Sequence, residues 1–249
     1  MSTLQRAFKS EYTKRLMRVT GVRAPQKLPR TGTPHYRMPQ VEANRGYVEL
    51  GVYRGPEIPC AEWEGLTYTT YASDPHTYFA PITSATGELE MRPFGDHGKC
   101  DLDGEWTANA EKCPTIVTWL RSTGARFGRV QLLRMRPNSL EECRWGLHLD
   151  NNNQGNPETN GWAVRVWLEL THDDSSRLVL RQEEFDRRSE VQVALPRGKQ
   201  VVVDSQRLYH GGYHHGTATR YALISTFESS PALEQWIETQ IPEPATAST

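Results

Sequence analysis

The chain has no two cysteines at C-x-x-C spacing. Its four cysteines, Cys60, Cys100, Cys113 and Cys143, are scattered, so a zinc ribbon is not expected. Charge of one sign is not in excess either. There are 29 Lys+Arg against 30 Asp+Glu, a formal net charge of −1, and nothing in that balance favours nucleic acid or an anionic membrane surface. No run approaches the roughly 18 consecutive apolar residues of a membrane-spanning helix. The opening MSTLQRAFKSEYTKRL lacks the apolar core of a secretory signal. The expectation is a cytoplasmic, reducing setting with free thiols. No internal repeat is visible, and hydrophobic content is a modest 37%. What the sequence does have is 16 Pro and 19 Gly, which suits a strand-rich fold with many turns better than a helical bundle.

Residues 3 to 20 read as an amphipathic helix, with Leu4, Phe8, Tyr12, Leu16 and Val19 on one stripe. Residues 21 to 46 hold Pro25, Pro29, Pro34 and Pro39 and read as an extended arm. Residues 47 to 113 mix short β-like runs (YVELGVY, LTYTTYA, TYFAPI) with turn clusters that contain His76 and His97. Pro114 opens a helix that Gly124 ends, the usual order of these two residues. Beyond it the period becomes two. Strands are expected at 129–135, 163–170, 177–182, 191–195, 199–205 and 220–227, separated by turn formers, with a last helix at 231–240. On 163–170, Val164, Val166, Leu168 and Leu170 share one face, and Arg165, Trp167 and Glu169 share the other. Many short strands at about ten-residue intervals predict a mainly β fold, a jelly roll with flanking helices. The whole of residues 1 to 249 is expected to form one domain with its β core at 114–228.

The stretch WGLHLD, 145 to 150, concentrates the chemistry. In extended backbone, His148 and Asp150 point the same way. An imidazole and a carboxylate side by side are two of the three ligands of a 2-His-1-carboxylate site, which binds Fe(II) and leaves positions open. The second histidine has to come from His172, His210, His214 or His215. His172 sits in the turn THDDSS. His210 follows Leu208-Tyr209 at the end of a strand, before Gly211 and Gly212 allow a sharp turn or a close approach. His210 is the first choice and His214 the reserve. Arg220 opens the strand RYALISTF and shares a face with Ala222, Ile224 and Thr226. A buried guanidinium there needs an anionic partner, and its planar fork suits a carboxylate.

These pieces, in this order, resemble the Fe(II)/2-oxoglutarate-dependent oxygenases. Within them the chain is most similar to the aspartyl/asparaginyl β-hydroxylase and proline cis-hydroxylase branch. The matching motifs are RVQLLRMRPNS, HLD, VRVWLELT, VVVDSQRLYH and RYALISTF, spanning roughly 114 to 228. The resemblance implies a double-stranded β-helix (the cupin-like jelly roll). It implies His148, Asp150 and His210 as iron ligands, with Fe(II), 2-oxoglutarate and O2 as cofactor and cosubstrates. Arg220 would anchor the distal carboxylate of 2-oxoglutarate, and Arg165 would lie near the cosubstrate or substrate carboxylate. Trp167 stands where the branch carries a histidine, Asn138 where it has the turn glycine, and Ala222 where a serine is frequent. Those departures bear on substrate identity.

The expected reaction is hydroxylation of a small polar molecule, such as an amino acid or a biosynthetic intermediate, with release of succinate and CO2. Related halogenases carry a small residue at the carboxylate position, so Asp150 points away from halogenation. Trp167, with Arg165, is expected to shape the substrate pocket, and the arm 21–46 and the loop 151–161 to cover it. The alternatives are a non-oxidative cupin isomerase or a module that senses a small carboxylate. Neither nucleic acid nor membrane is expected as a partner.

Overall fold

The computed structural model describes residues 34–70, 77–171 and 173–241. The helix expected at 3–20, the first part of the arm, His76, His172 and the end of the tail lie outside these residues. The strands are β1 (Tyr47–Val52), β2 (Thr77–Pro81), β3 (Thr83–Ser84), β4 (Glu105–Trp106), β5 (Phe127–Met135), β6 (Ala163–Glu169), β7 (Ser176–Arg181), β8 (Val191–Ala194), β9 (Lys199–Val203), β10 (Tyr209–His214) and β11 (Arg220–Glu228). Among the described residues five α-helices accompany them: α1 (Pro39–Ala43), α2 (Ala61–Glu64), α3 (Pro114–Ser122), α4 (Leu140–Trp145) and α5 (Pro231–Gln240).

Six strands form one sheet in the order β1-β9-β6-β11-β5-β2, and three form a second in the order β10-β7-β8. Neighbours in both sheets are antiparallel. From β6 onward the chain passes to the small sheet for β7 and β8, back to the large one for β9, to the small one for β10 and back for β11. That exchange between two facing sheets is the double-stranded β-helix expected from the sequence. The two edges of the large sheet, β1 and β2, come from the N-terminal half.

β6 is buried at all seven positions, because its two faces enter two different interiors. Val164, Val166 and Leu168 pack outward against the helices, in a core with Trp119 of α3 and Leu233, Trp236 and Ile237 of α5. Trp167 points between the sheets, with Leu133, Leu178, Leu180, Val193, Val201 and Ala222. The alternation read from the sequence therefore separates two buried faces, one of them polar at Arg165 and Glu169, rather than core from solvent.

Three local expectations change. Residues 34–46 are not wholly extended, since Pro39 starts the one-turn α1. The segment before His148 is helical rather than extended through Trp145: Ser139 caps α4 in a capping box with Glu142. There is no turn at Gly211-Gly212. β10 runs straight through them, paired with β7 from Tyr209↔Arg181 to His214↔Ser176.

Candidate metal centre

His148 and Asp150 follow α4 on a segment that pairs with the edge of β10. His148 and His210 exchange backbone hydrogen bonds (3.3 and 3.0 Å), and the Asp150 N–H donates to the Ser205 carbonyl at 2.9 Å. Leu147 and Leu149 are buried, at 5% and 8% exposure, so His148 and Asp150 fall together on the opposite side. The two-residue spacing does its work although only a bridge, and no full strand, is present.

His148, Asp150 and His210 converge, with their ligating atoms within 4.8 Å of one another. Asp150 Oδ1 is 3.6 Å from His148 Nε2, and Asp150 Oδ2 is 3.7 Å from His210 Nε2. Each separation is shorter than two metal–ligand bonds end to end, roughly 4.2 Å. The tautomers fit as well. His148 Nδ1 faces the Gly146 carbonyl at 3.0 Å and His210 Nδ1 faces the Leu208 carbonyl at 3.1 Å. A carbonyl only accepts, so in each neutral ring the proton sits on Nδ1 and the Nε2 lone pair is free for a cation. Burial lowers the His210 pKa to about 4, with the Asp150 carboxylate opposing. Burial works against the Asp150 charge, but Arg165, then the two imidazoles, hold its carboxyl well below the usual range. A neutral imidazole and an ionised carboxylate are the forms a metal takes.

Arg165 lines the space beside the triad, and protein groups engage its guanidinium. Its Nε donates to Asp150 Oδ2 (3.2 Å), its Nη2 to Asp101 Oδ2 (2.9 Å) and its Nη1 to Thr226. It is 4% exposed and orients the carboxylate of the triad. Thr226 was on the expected inner face of β11. Asp101 has no sequence signal, because it arrives from a distant loop. The reserve His214 is engaged elsewhere: its Nδ1 contacts Ser175 and Ser176 (3.1 Å each) and its Nε2 meets the Ala218 carbonyl at 2.8 Å. His215 stacks on Tyr213, and His97 lies 3.2 Å from Glu90.

The three residues open into a cleft of about 530 Å³. Trp167 lines it and presents an edge to the His210 ring, centroids 5.5 Å apart. Arg220 lines it too, but not among apolar neighbours alone. The guanidinium meets the Glu169 carboxylate, with Nε and Nη2 at 3.1 and 2.9 Å from Oε2. On β5, Arg129 and Gln131 face the same space, and Gln131 Oε1 is buried without a partner among the described residues. Cys143 is also in the wall, and burial pushes its thiol up to about 12, which keeps it protonated and unreactive.

The loop 151–161 adds no residue to the lining. It is a hydrogen-bonded plug. Asn153 copies a strand partner for Ala163, donating to its carbonyl (3.0 Å) and accepting from its N–H (2.7 Å). Asn152 and Asn156 are buried beside it. The walls come instead from β2, β5, residues 136–138 and α4.

No family model matches the chain, and no curated protein does. Among solved structures it is similar to a 2OG-Fe(II) oxygenase-family oxidoreductase from Burkholderia pseudomallei, with 16% identity, TM-score 0.49, and 80% of this chain and 95% of that one covered. A Pseudomonas putida prolyl-4-hydroxylase follows at 13% identity and TM-score 0.43, covering 77% and 96%. HygX from Streptomyces hygroscopicus, whose structure contains nickel, 2-oxoglutarate and hygromycin B, stands at 11% and 0.39, covering 78% and 88%.

Proposed function

We propose that the protein is an Fe(II)- and 2-oxoglutarate-dependent oxygenase that hydroxylates a small polar substrate. One observation carries this reading: His148, Asp150 and His210 converge in the lining of a cleft, their ligating atoms within 4.8 Å of one another. Two imidazoles and one carboxylate on one face of an ion are the donor set of non-haem Fe(II) oxygenases. Bound there with 2-oxoglutarate and O2, Fe(II) supplies an oxidation in which the 2-oxo acid loses CO2 and becomes succinate, one oxygen atom entering succinate and the other the substrate.

The chain's own residues hold and orient. The Gly146 and Leu208 carbonyls fix the two rings, and Arg165 fixes Asp150. Arg220 receives the far carboxylate of 2-oxoglutarate, and Trp167 closes the cleft beside His210, excluding water from the reacting centre. The cleft volume lies within the range for small-molecule sites, about 300 to 1,000 Å³. Gln131 and Arg129 offer polar recognition to an amino acid or a related intermediate. Asp150 fills the coordination position that a halide would need, so the product is hydroxylated.

The test is succinate formation from 2-oxoglutarate, followed by NMR with and without Fe(II). Turnover that requires Fe(II) and disappears in Asp150→Ala supports the reading. Metal-independent turnover, or none with any small polar amine or acid, argues against it.

A further inference from the structure

The register of β6 on β11 sets Glu169 opposite Ala222, and Arg220 reaches it from two residues away. Both side chains are nearly sealed, at 1% and 2% exposure. The pair is lopsided: Nε and Nη2 both donate to Oε2, while Oε1 is buried with no partner among the described residues. Nη1 meets no acceptor among the described residues and lies against Gly212, which lines the cleft with Met135. The guanidinium thus gives one edge to Glu169 and keeps another toward the cleft.

We propose that Glu169 positions Arg220 and sets how tightly its free edge holds a carboxylate ligand. This rests on the oxygenase reading, in which that ligand is 2-oxoglutarate. Arg220 and Glu169 are neutral together. A ligand carboxylate on Nη1 adds a second negative charge to one guanidinium, leaving a net negative cluster in the interior, where charge is costly. Glu169 therefore orients the fork and weakens it for anions at once. Occupancy of the site then follows the cosubstrate concentration instead of saturating at trace levels.

Isothermal titration of 2-oxoglutarate into the Ni(II)-loaded protein tests this without turnover. Glu169→Gln keeps an oxygen acceptor for Nε and Nη2 but removes the charge. It is expected to bind 2-oxoglutarate about tenfold tighter than the parent, to melt lower without ligand, and to gain more on adding it. Glu169→Ala, which removes the orienting acceptor, is expected to bind more weakly than Glu169→Gln. Equal or weaker binding by Glu169→Gln overturns the affinity role, and equal binding by the two variants overturns the positioning role. If Glu169→Gln does not fold, the unmodified protein decides. It should prefer 2-oxoglutarate over its 5-amide, whose far end is uncharged, by less than about tenfold, and a hundredfold preference contradicts the proposal. No binding of 2-oxoglutarate by the unmodified Ni(II) protein would sink the oxygenase reading itself.

Discussion

At the scale of the residue, the site depends on what surrounds its ligands. Arg165 is buried against two carboxylates, Asp150 and Asp101. Arg165→Ala strands both charges and should destabilise the fold by about 3–5 kcal/mol. Metal affinity should fall about 10–100-fold, because the carboxylate loses its orientation. Thermal melting and metal titration read the two effects separately, and a variant with unchanged metal affinity would remove Arg165 from the centre. Gly212 is as specific. A Cβ there would overlap Arg220 Nη1 and sit 3.3 Å from the Met135 Cε. Gly212→Ala should therefore cost about 1–3 kcal/mol and weaken 2-oxoglutarate binding. Unchanged binding would place the ligand away from the Nη1 edge.

HLD and the inner faces of β6 and β11 were legible from a period of two; the preference for His210 over His214 rested instead on an expected turn at Gly211-Gly212, where the strand in fact continues. The partners that decide Arg165 and Arg220 were less so. Glu169 shares a face with Arg165 in the sequence, but its pairing with Arg220 depends on strand register, which a single sequence does not fix. Asp101 is brought in by a loop with no periodic signal.

At the scale of the element, α4 and the Asn-rich loop show where sequence reading stopped. Ser139-Leu140-Glu141-Glu142 is a capping-box pattern, so α4 was readable, yet the strand-like spacing of HLD drew the extended reading back to Trp145. The loop 151–161 has turn composition, which does not reveal that its asparagines bond inward. Asn153→Ala should destabilise by about 1–3 kcal/mol, since it leaves the buried Ala163 N–H without its acceptor. A neutral change in melting temperature would make the loop a cover after all.

Glu190 ties α4 to the small sheet through Arg144 (2.7 Å) and Arg181. The hydrogen bonds from Arg144, then Arg181, outweigh burial and bring the Glu190 carboxyl down to about 2. A carboxyl lowered on folding stabilises above its unfolded pKa, about 4.3, and that contribution fades as pH falls toward 2. The amount is at most about 3 kcal/mol. The stability gap between the parent and Glu190→Gln should therefore close between about pH 4.5 and pH 2. A gap independent of pH in acid unfolding would mean that the ion pairs contribute nothing through charge.

At the scale of the whole molecule, two facing sheets carry the triad and the Arg220–Glu169 pair, on β6 and β11 of the large sheet, β10 of the small one and one edge segment. The jelly roll was visible as a rhythm of short strands, whereas the membership of β1 and β2 in the large sheet was not, since edge pairing joins residues far apart in sequence. Among the described residues no helix is long and apolar enough to cross a membrane. In the proposed function, one metal ion and one 2-oxo acid meet at His148, Asp150 and His210. The most direct measurement is the anaerobic visible spectrum of the protein with Fe(II) and 2-oxoglutarate. A charge-transfer band that appears only when both are present, and is lost in His210→Ala, is the predicted result. A spectrum identical to that of the protein with Fe(II) alone would contradict it.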